Sequence, residues 1–346
     1  MSFEMKINNA TQSRRRKEST RLMVLEGELL KHKLFCDLPE FLKRGDILVV
    51  NDAATLPSSL KAQLKGEPVE IRLVQAINPF LGNISQWRAV LLGAGDWQTP
   101  TEKRTLPPRI FEGDTLNFEL GLKAKVIKVE RNISERLLQI CFSEEGPTLW
   151  GHLYGQGRPI QYSYLTESLN LWDQQTIFSG PPVAVEPPSA SFAFTWRLVK
   201  EIEDRGVTVL KLTHATGISN TGDSRIDLHL PFSEPSLILP EVQTQILEAK
   251  KSGHRIIAAG TGVVRALEGW GGQPNKNGAF INDLKIGSNH KLKMVDGLLT
   301  GLHEPGGSHL KMLSAFASEE NWKRFYAEAS AKGYLWHEYG DLCLVA

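Results

Sequence analysis

Cysteine is scarce in this sequence, with three in 346 residues. Cys36, Cys141 and Cys343 lie far apart and form neither a CxxC pair nor an even-numbered set. This spacing argues against a disulfide framework and is expected of a protein from a reducing compartment. We interpret each cysteine as a small buried hydrophobic residue and not as a nucleophile.

An excess of charge of one sign is also missing. Forty lysines and arginines against 39 aspartates and glutamates give a formal charge of +1. A nucleic-acid contact therefore requires a local basic cluster and not a basic field over the whole protein. Such a cluster comprises Arg14, Arg15, Arg16 and Lys17, with Arg21 close behind. It predicts contact with phosphates, and a solvated terminus is the alternative.

Long hydrophobic runs are absent as well. The longest, such as residues 47–50, are too short to cross a membrane, and no apolar segment follows the basic residues near the N-terminus. We therefore expect a cytoplasmic protein without a membrane partner. The hydrophobic fraction of 41% and the charged fraction of 23% are typical of folded globular chains.

The length and the patterning predict two domains. Between residues 60 and 150, Val69, Ile71 and Leu73 alternate with Glu70 and Arg72. Alternation of this kind, interrupted by glycine turns, predicts a small closed or nearly closed β-barrel. After residue 147, helix-then-strand units predict a mostly parallel sheet covered by helices. We therefore predict an α/β domain of residues 1–59 and 151–346, into which a β-barrel of residues 60–150 is inserted.

A glycine turn joins a strand to a helix near residue 260. Residues 256–259 are apolar, Gly260 and Thr261 begin the sequence GTG, and the helix that follows contains Arg265 and Glu268. Such a turn presents free backbone N–H groups to an anion or to a ribose. The alternative is an ordinary turn in which the glycines only fit the backbone.

Two further segments carry groups that can act on protons. Asp296 and His303 belong to a glycine-containing segment, and His214 ends an apolar strand before another glycine turn. Each histidine is a candidate base or donor, although a hydrogen-bonded core histidine is as good an interpretation of His214. No HExxH or CxxC spacing is present, so no metal site is predicted.

Taken in order, these segments resemble the S-adenosylmethionine:tRNA ribosyltransferase-isomerase family of queuosine synthesis, from about residue 16 to residue 345. Residues 20–25 are similar to the family's SRLLVL, and residues 45–52 are similar to its GDLLVxN. Further segments resemble YQTVYA, PTAGLHFT, VGTTSVRTLE, DGLITNFHLPxSTLLML and the terminal YGD; they are residues 175–179, 188–195, 259–268, 296–313 and 339–341.

The resemblance implies a large α/β barrel-like domain with an inserted small β-barrel. It also implies that the ribosyl part of S-adenosylmethionine is moved to an aminomethyl-deazaguanine base of tRNA, with release of adenine and methionine. S-adenosylmethionine would be a co-substrate, and we expect no tightly bound cofactor, no metal, and a monomer or weak oligomer. The matched positions with suitable groups are His303, His214 and Asp296 for catalysis and Gly260, Thr261, Arg265 and Glu268 for the cofactor, with Arg14, Arg15, Arg16 and Arg21 as candidates for nucleic acid.

The sequence also departs from the family's motifs in several loops. Residues 53–60 lack the two arginines of TRVLPARL, and Ala193 replaces the histidine of LHFT. Loops tolerate change unless they bind something, so these departures bear on substrate recognition. They leave two alternatives: a sister enzyme on the same scaffold with a substrate other than tRNA, and a binding module that has lost catalysis.

Overall fold

The computed structural model describes residues 7–13, 17–77, 84–303 and 312–346. In these residues the chain forms a nine-stranded sheet, a closed six-stranded barrel, a small two-stranded sheet and six α-helices. The predicted α/β fold class with a small β-barrel is thus confirmed. The domain boundaries at residues 60 and 150 stay a prediction.

The large sheet takes its strands from both ends of the chain. These strands are β1 (Arg21–Glu26), β2 (Leu29–Leu34), β3 (Ile47–Asn51), β12 (Thr208–His214), β13 (Glu234–Leu237), β14 (Ile256–Ala259), β15 (Ala279–Asn282), β16 (Gly297–Gly301) and β17 (Leu342–Val345). Their order in the sheet is β15-β13-β12-β3-β14-β16-β17-β1-β2.

The predicted mostly parallel pairing holds only in part. The four central strands β12, β3, β14 and β16 are parallel to one another, and β17 is parallel to β1. The pairs β15–β13, β13–β12, β16–β17 and β1–β2 are antiparallel. The sheet is therefore mixed: its central strands are parallel, and most of its flanking strands are antiparallel to their neighbours. Antiparallel neighbours need no helical crossover of the βαβ type, which the prediction had assumed throughout the sheet.

The barrel is formed by β5 (Ser59–Leu64), β6 (Glu67–Ala76), β7 (Gln86–Gly93), β8 (Thr115–Phe118), β9 (Lys123–Val129) and β10 (Leu137–Phe142). Strands β5 and β9 bury alternate residues, as the period-two pattern predicts. Lys65 and Gly66 connect β5 to β6, both with positive φ angles, which suits the right-handed twist of a tight hairpin. The two remaining strands, β4 (Ala54–Thr55) and β11 (Pro182–Ala184), pair in parallel.

Helices cover the large sheet and one side of the barrel. They are α1 (Gly146–Gln156), α2 (Trp196–Asp204), α3 (Ser224–Asp227), α4 (Pro240–Lys251), α5 (Thr261–Trp270) and α6 (Glu319–Ala331). Helix α1 packs Leu149 and Leu153 into the barrel core. Strand β3 is buried throughout, because Ile47 and Val49 pack on one face of the sheet while Leu48 and Val50 pack on the other.

The cysteines differ in exposure. Cys343 is buried, as predicted, whereas Cys141 is half-buried and Cys36 is exposed. The interpretation of Cys36 as a buried residue was wrong, because this side chain lies on the outer side of a short 3₁₀ helix whose buried positions include Phe35 and Leu38. A helix long and apolar enough to cross a membrane was not found in the described ranges.

Candidate active site

A cleft of about 690 Å³ lies where several central strands of the large sheet end. Asn51 ends β3, Thr216 follows β12, Gly260 follows β14 and Thr300 lies near the end of β16, and all four line the cleft. Parallel strands bring their carboxyl ends to one edge, which is where α/β sheets bind ligands. The barrel contributes Arg72 of β6. The volume is that of a site for a small molecule the size of a nucleotide.

The glycine turn forms part of the cleft wall. Gly260 adopts a φ angle of +104°, which L-residues with a side chain rarely adopt, and its N–H donates to the carbonyl oxygen of Leu299 at 2.7 Å. Helix α5 begins at Thr261, and residues 260–263 all line the cleft. The first N–H groups of a helix have no partner within it, so this turn is suited to bind an anionic or polar group of a ligand.

His303 lines the same cleft, two residues beyond the end of β16. Its Nε2 atom lies 3.4 Å from the hydroxyl oxygen of Thr300, another cleft residue. The structure therefore brings together Gly260, Thr261 and His303, three of the predicted site residues. Their catalytic and binding roles stay proposals.

His214 lies beneath the cleft and is fully buried. Its Nδ1 atom lies 2.8 Å from the Ser236 hydroxyl, and its Nε2 atom lies 2.9 Å from the Glu234 carboxylate. A Cβ atom on Gly262 would come within 2.9 Å of the imidazole Cδ2 atom, so the ring packs directly against the glycine turn. His214 thus supports the turn from below, and it does not face the cleft as a catalytic group would.

Glu234 joins His214 to Arg265 in a buried network. The Arg265 guanidinium forms an ion pair with the Glu234 carboxylate, which also accepts the Gly217 N–H at 2.7 Å. Burial raises the pKa of Glu234, but Arg265, His214 and the Gly217 N–H outweigh it and hold the pKa at about 2. Arg265 was predicted to bind the cofactor. Its side chain points from α5 into the core and does not line the cleft, so the placement does not favour this role, which stays a prediction.

Two other predicted site residues also lie away from the cleft. Asp296 precedes β16 and so occupies the opposite end of that strand from His303, where it pairs with Lys250 at 3.0 Å and accepts the Ile256 N–H at 2.8 Å. The Glu268 carboxylate is buried and accepts the backbone N–H groups of residues 293–295. Both carboxylates hold the chain that leads into β16, and neither lines the cleft with His303. This placement does not favour the predicted roles of Asp296 in catalysis and of Glu268 in cofactor binding, which stay predictions.

The basic residues predicted to contact nucleic acid divide into two sets. Arg21 forms hydrogen bonds with the Asp341 carboxylate at 2.9 and 2.6 Å and with the carbonyl oxygen of Lys332 at 3.0 Å, and it lies 4.2 Å from the centre of the Tyr334 ring. These contacts show that Arg21 fixes the C-terminal segment, whereas its predicted phosphate contact stays a prediction. Arg14, Arg15 and Arg16 lie outside the described residues.

Sequence reasoning missed two carboxylates that line the cleft, Glu186 and Glu338. The Tyr162 hydroxyl donates to Glu186, and the Tyr164 hydroxyl donates to Glu338. Burial raises the pKa of Glu186, and it raises that of Glu338 to about 6. A pKa near neutrality at a cleft is a mark of functional groups. In the sequence, Glu186 precedes two prolines and Glu338 precedes a tyrosine. Such neighbours are too common to mark either glutamate as a site residue.

His337, also missed, lies in the wall next to Glu338. It has a φ angle of +70°, and its N–H donates to the carbonyl oxygen of Leu302 at 2.9 Å. A positive φ is unusual for histidine and is tolerated where the surrounding structure fixes the backbone. The hydrogen bond joins the C-terminal segment to the segment that carries His303, so two imidazoles stand on neighbouring stretches of chain.

These features define a class: an α/β protein with a ligand cleft at the carboxyl ends of its strands and an inserted β-barrel beside it. The chain belongs to the queuosine biosynthesis protein family, whose model matches residues 3–345. This confirms the resemblance found in the sequence motifs.

Individual relatives agree with that membership. An S-adenosylmethionine:tRNA ribosyltransferase-isomerase of Thermus thermophilus is 33% identical over 341 residues, which cover 95% of this chain and 93% of the relative. One of Bradyrhizobium diazoefficiens is 29% identical, with 95% and 90% covered. The crystal structure of an S-adenosylmethionine tRNA ribosyltransferase from Thermotoga maritima is similar in fold, with a TM-score of 0.52, 22% identity, and coverage of 98% of this chain and 96% of that one.

Proposed function

We propose that this protein is an S-adenosylmethionine:tRNA ribosyltransferase-isomerase. It moves the ribosyl part of S-adenosylmethionine to 7-aminomethyl-7-deazaguanine in tRNA, gives epoxyqueuosine, and releases adenine and methionine. Full-length relatives that carry this name support the activity. The structural observation that supports this activity is one cleft lined by the glycine turn at Gly260 and Thr261 and by His303.

The electrostatics of the cleft suit a cationic co-substrate. Three glutamates, residues 102, 186 and 338, line it, whereas Arg72 is the single lysine or arginine among the described lining residues. Arg72 is already paired with Glu70 at 2.7 Å, and Glu70 also pairs with Arg104 at 2.5 Å. Clefts with an excess of one charge attract ligands of the opposite charge, and S-adenosylmethionine carries a sulfonium.

The reaction needs a base that removes a proton from the carbon beside the sulfonium, and donors that help adenine to depart. The sulfonium acidifies that carbon, so a group with a pKa near neutrality suffices. We assign proton exchange to His303, and binding of the ribosyl part to the backbone of Gly260 and Thr261. His214 supports this turn and takes no direct part.

Contact with tRNA is proposed for Arg14, Arg15 and Arg16, because the near-neutral net charge leaves recognition to local clusters. Arg21 is not included, since its guanidinium is bound within the protein.

Release of adenine from S-adenosylmethionine tests the proposal. We expect release only when tRNA that bears the aminomethyl base is present, and no release with tRNA that bears unmodified guanine. Release without any tRNA, in which water or another small molecule takes up the ribosyl part, would indicate the sister enzyme with another acceptor. Absence of release under all conditions, with S-adenosylmethionine still bound, would indicate the binding module.

A further inference from the structure

Two tyrosine–carboxylate pairs stand side by side in the wall of the cleft. The Tyr162 and Tyr164 rings stack with their centres 6.2 Å apart and their planes at 14°, and each hydroxyl donates to one glutamate. The outer face of Tyr164 stacks on His337 at 4.5 Å and 15°. One aromatic stack therefore fixes the positions of both carboxylates, Glu186 and Glu338.

Neither carboxylate has a cationic partner in the described part of the chain. No lysine or arginine among residues 7–13, 17–77, 84–303 and 312–346 forms an ion pair with Glu186 or Glu338. Burial is the largest cause of the raised pKa of each. Both side chains are half-buried. A partly desolvated carboxylate without a counter-charge is costly, and two of them in one cleft point to a role in binding and not in folding.

The hydrogen-bonding capacity of these groups is also incomplete. An ionised carboxylate offers about four acceptor sites, and a tyrosine hydroxyl fills one of them. Ser219 contributes a backbone and a side-chain hydrogen bond to Glu186, and the backbone N–H of Glu338 donates to the Glu338 carboxylate. The remaining acceptor sites match a ligand group with several N–H donors and a positive charge.

We propose that Glu186 and Glu338 form a subsite that binds a primary ammonium group of a substrate. This rests on the proposed function, which supplies two such groups: the aminomethyl group of the acceptor base and the α-ammonium of the methionyl part of S-adenosylmethionine. A sulfonium is also cationic, but it has no N–H donors, and aromatic faces bind such cations without carboxylates.

Three binding probes distinguish the sources of the ammonium group. They are an anticodon stem-loop with the aminomethyl base, S-adenosylmethionine, and S-adenosylhomocysteine, which keeps the α-ammonium but lacks the sulfonium. The stem-loop with unmodified guanine is the reference RNA. Dissociation constants are measured by calorimetry for the wild type and for Glu186→Gln and Glu338→Gln, in which the amide oxygen still accepts from tyrosine.

We expect each variant to lose about ten- to a hundredfold in affinity for one ammonium-bearing probe, as for a charge-assisted hydrogen bond. Loss for the aminomethyl stem-loop, but not for the reference RNA, assigns the carboxylate to the acceptor base. Equal loss for S-adenosylmethionine and S-adenosylhomocysteine assigns it to the methionyl ammonium. Glu338→Asp should recover part of the lost affinity, because it restores the charge.

Two results overturn the subsite. One is unchanged affinity of both glutamine variants for every probe; the other is a loss for S-adenosylmethionine alone, which would mean recognition of the sulfonium. Glu320→Gln, at an exposed position in the first turn of α6, controls for the loss of one negative charge. If the wild type binds none of the probes, both the proposed function and the subsite are rejected. If the wild type binds the probes and the variants bind them equally tightly, only the subsite is rejected.

Discussion

The Nε2 atom of His214 lies 2.9 Å from a carboxylate oxygen of Glu234, and both side chains are buried beneath the cleft. The same carboxylate pairs with Arg265 of α5, so Glu234 connects the imidazole of His214 in β12 to the guanidinium of Arg265 in α5. Through His214 this network contacts the glycine turn at Gly262. The relationship ties the stability of the core to the shape of the binding site.

We expect Glu234→Gln to lower the free energy of unfolding by about 3–5 kcal/mol, because it leaves the buried Arg265 without its counter-charge. Since the pKa of Glu234 is held at about 2, its stabilising effect is complete above the unfolded pKa of 4.5 and is lost as the pH falls toward 2. Urea unfolding of wild type and variant should therefore differ most near pH 7 and converge below pH 4.5. The exposed Glu241→Gln, in the first turn of α4, is the control, and an equal effect of both changes would contradict the network's role.

Gly262→Ala should impair binding of S-adenosylmethionine. The added Cβ atom would lie 2.9 Å from the buried imidazole of His214, so the turn or the ring must shift. A displacement of this size in a binding turn costs roughly ten- to a hundredfold in kcat/KM. Gly151→Ala, in α1, meets no atom within 4 Å and should leave kcat/KM unchanged. Equal kinetics for both variants would show that the turn does not contact the co-substrate.

His303→Ala should lower adenine release by about 10²- to 10⁴-fold, the usual contribution of a positioned acid or base, and shift Tm by no more than about 2 °C. Asp296→Asn is the matched control, because Asp296 flanks the same strand β16 at its other end, outside the cleft. It should leave adenine release near the wild-type rate. A large loss of Tm in His303→Ala would instead mean that the imidazole, with its contact to Thr300, holds the loop.

Glu338→Gln should stabilise the protein above pH 6. Burial raises the pKa of this carboxyl from 4.5 to about 6, so the folded state retains the proton more tightly than the unfolded state does. The unfolding free energy that this tighter proton binding contributes is fully present below pH 4.5 and is lost as the pH rises through 6. The loss is about 2 kcal/mol. Glutamine carries no charge and escapes this cost. Thermal unfolding at pH 5 and pH 8 measures the difference, and a variant less stable than the wild type at pH 8 would contradict it.

Much of the fold was accessible from the sequence because the patterns that encode it are local. Alternation at Val69, Ile71 and Leu73 predicted barrel strands, and each of these residues is buried in β6. The apolar run before Gly260 predicted the strand and turn that the structure shows as β14 and the start of α5. Side-chain alternation and turn chemistry depend on neighbouring residues only, so a single sequence is enough to read them.

Which side chains line the cleft was decided by tertiary structure. Asp296 and His303 are seven positions apart in sequence, but the strand between them, β16, extends about 17 Å and delivers only His303 to the carboxyl edge of the sheet. Glu186 and Glu338 lie far apart in the sequence, and they meet in one wall because Tyr162 and Tyr164 stack between their segments. The sequence by itself determined which strands, turns and helices form, whereas the direction and order of the strands decided which side chains share a site.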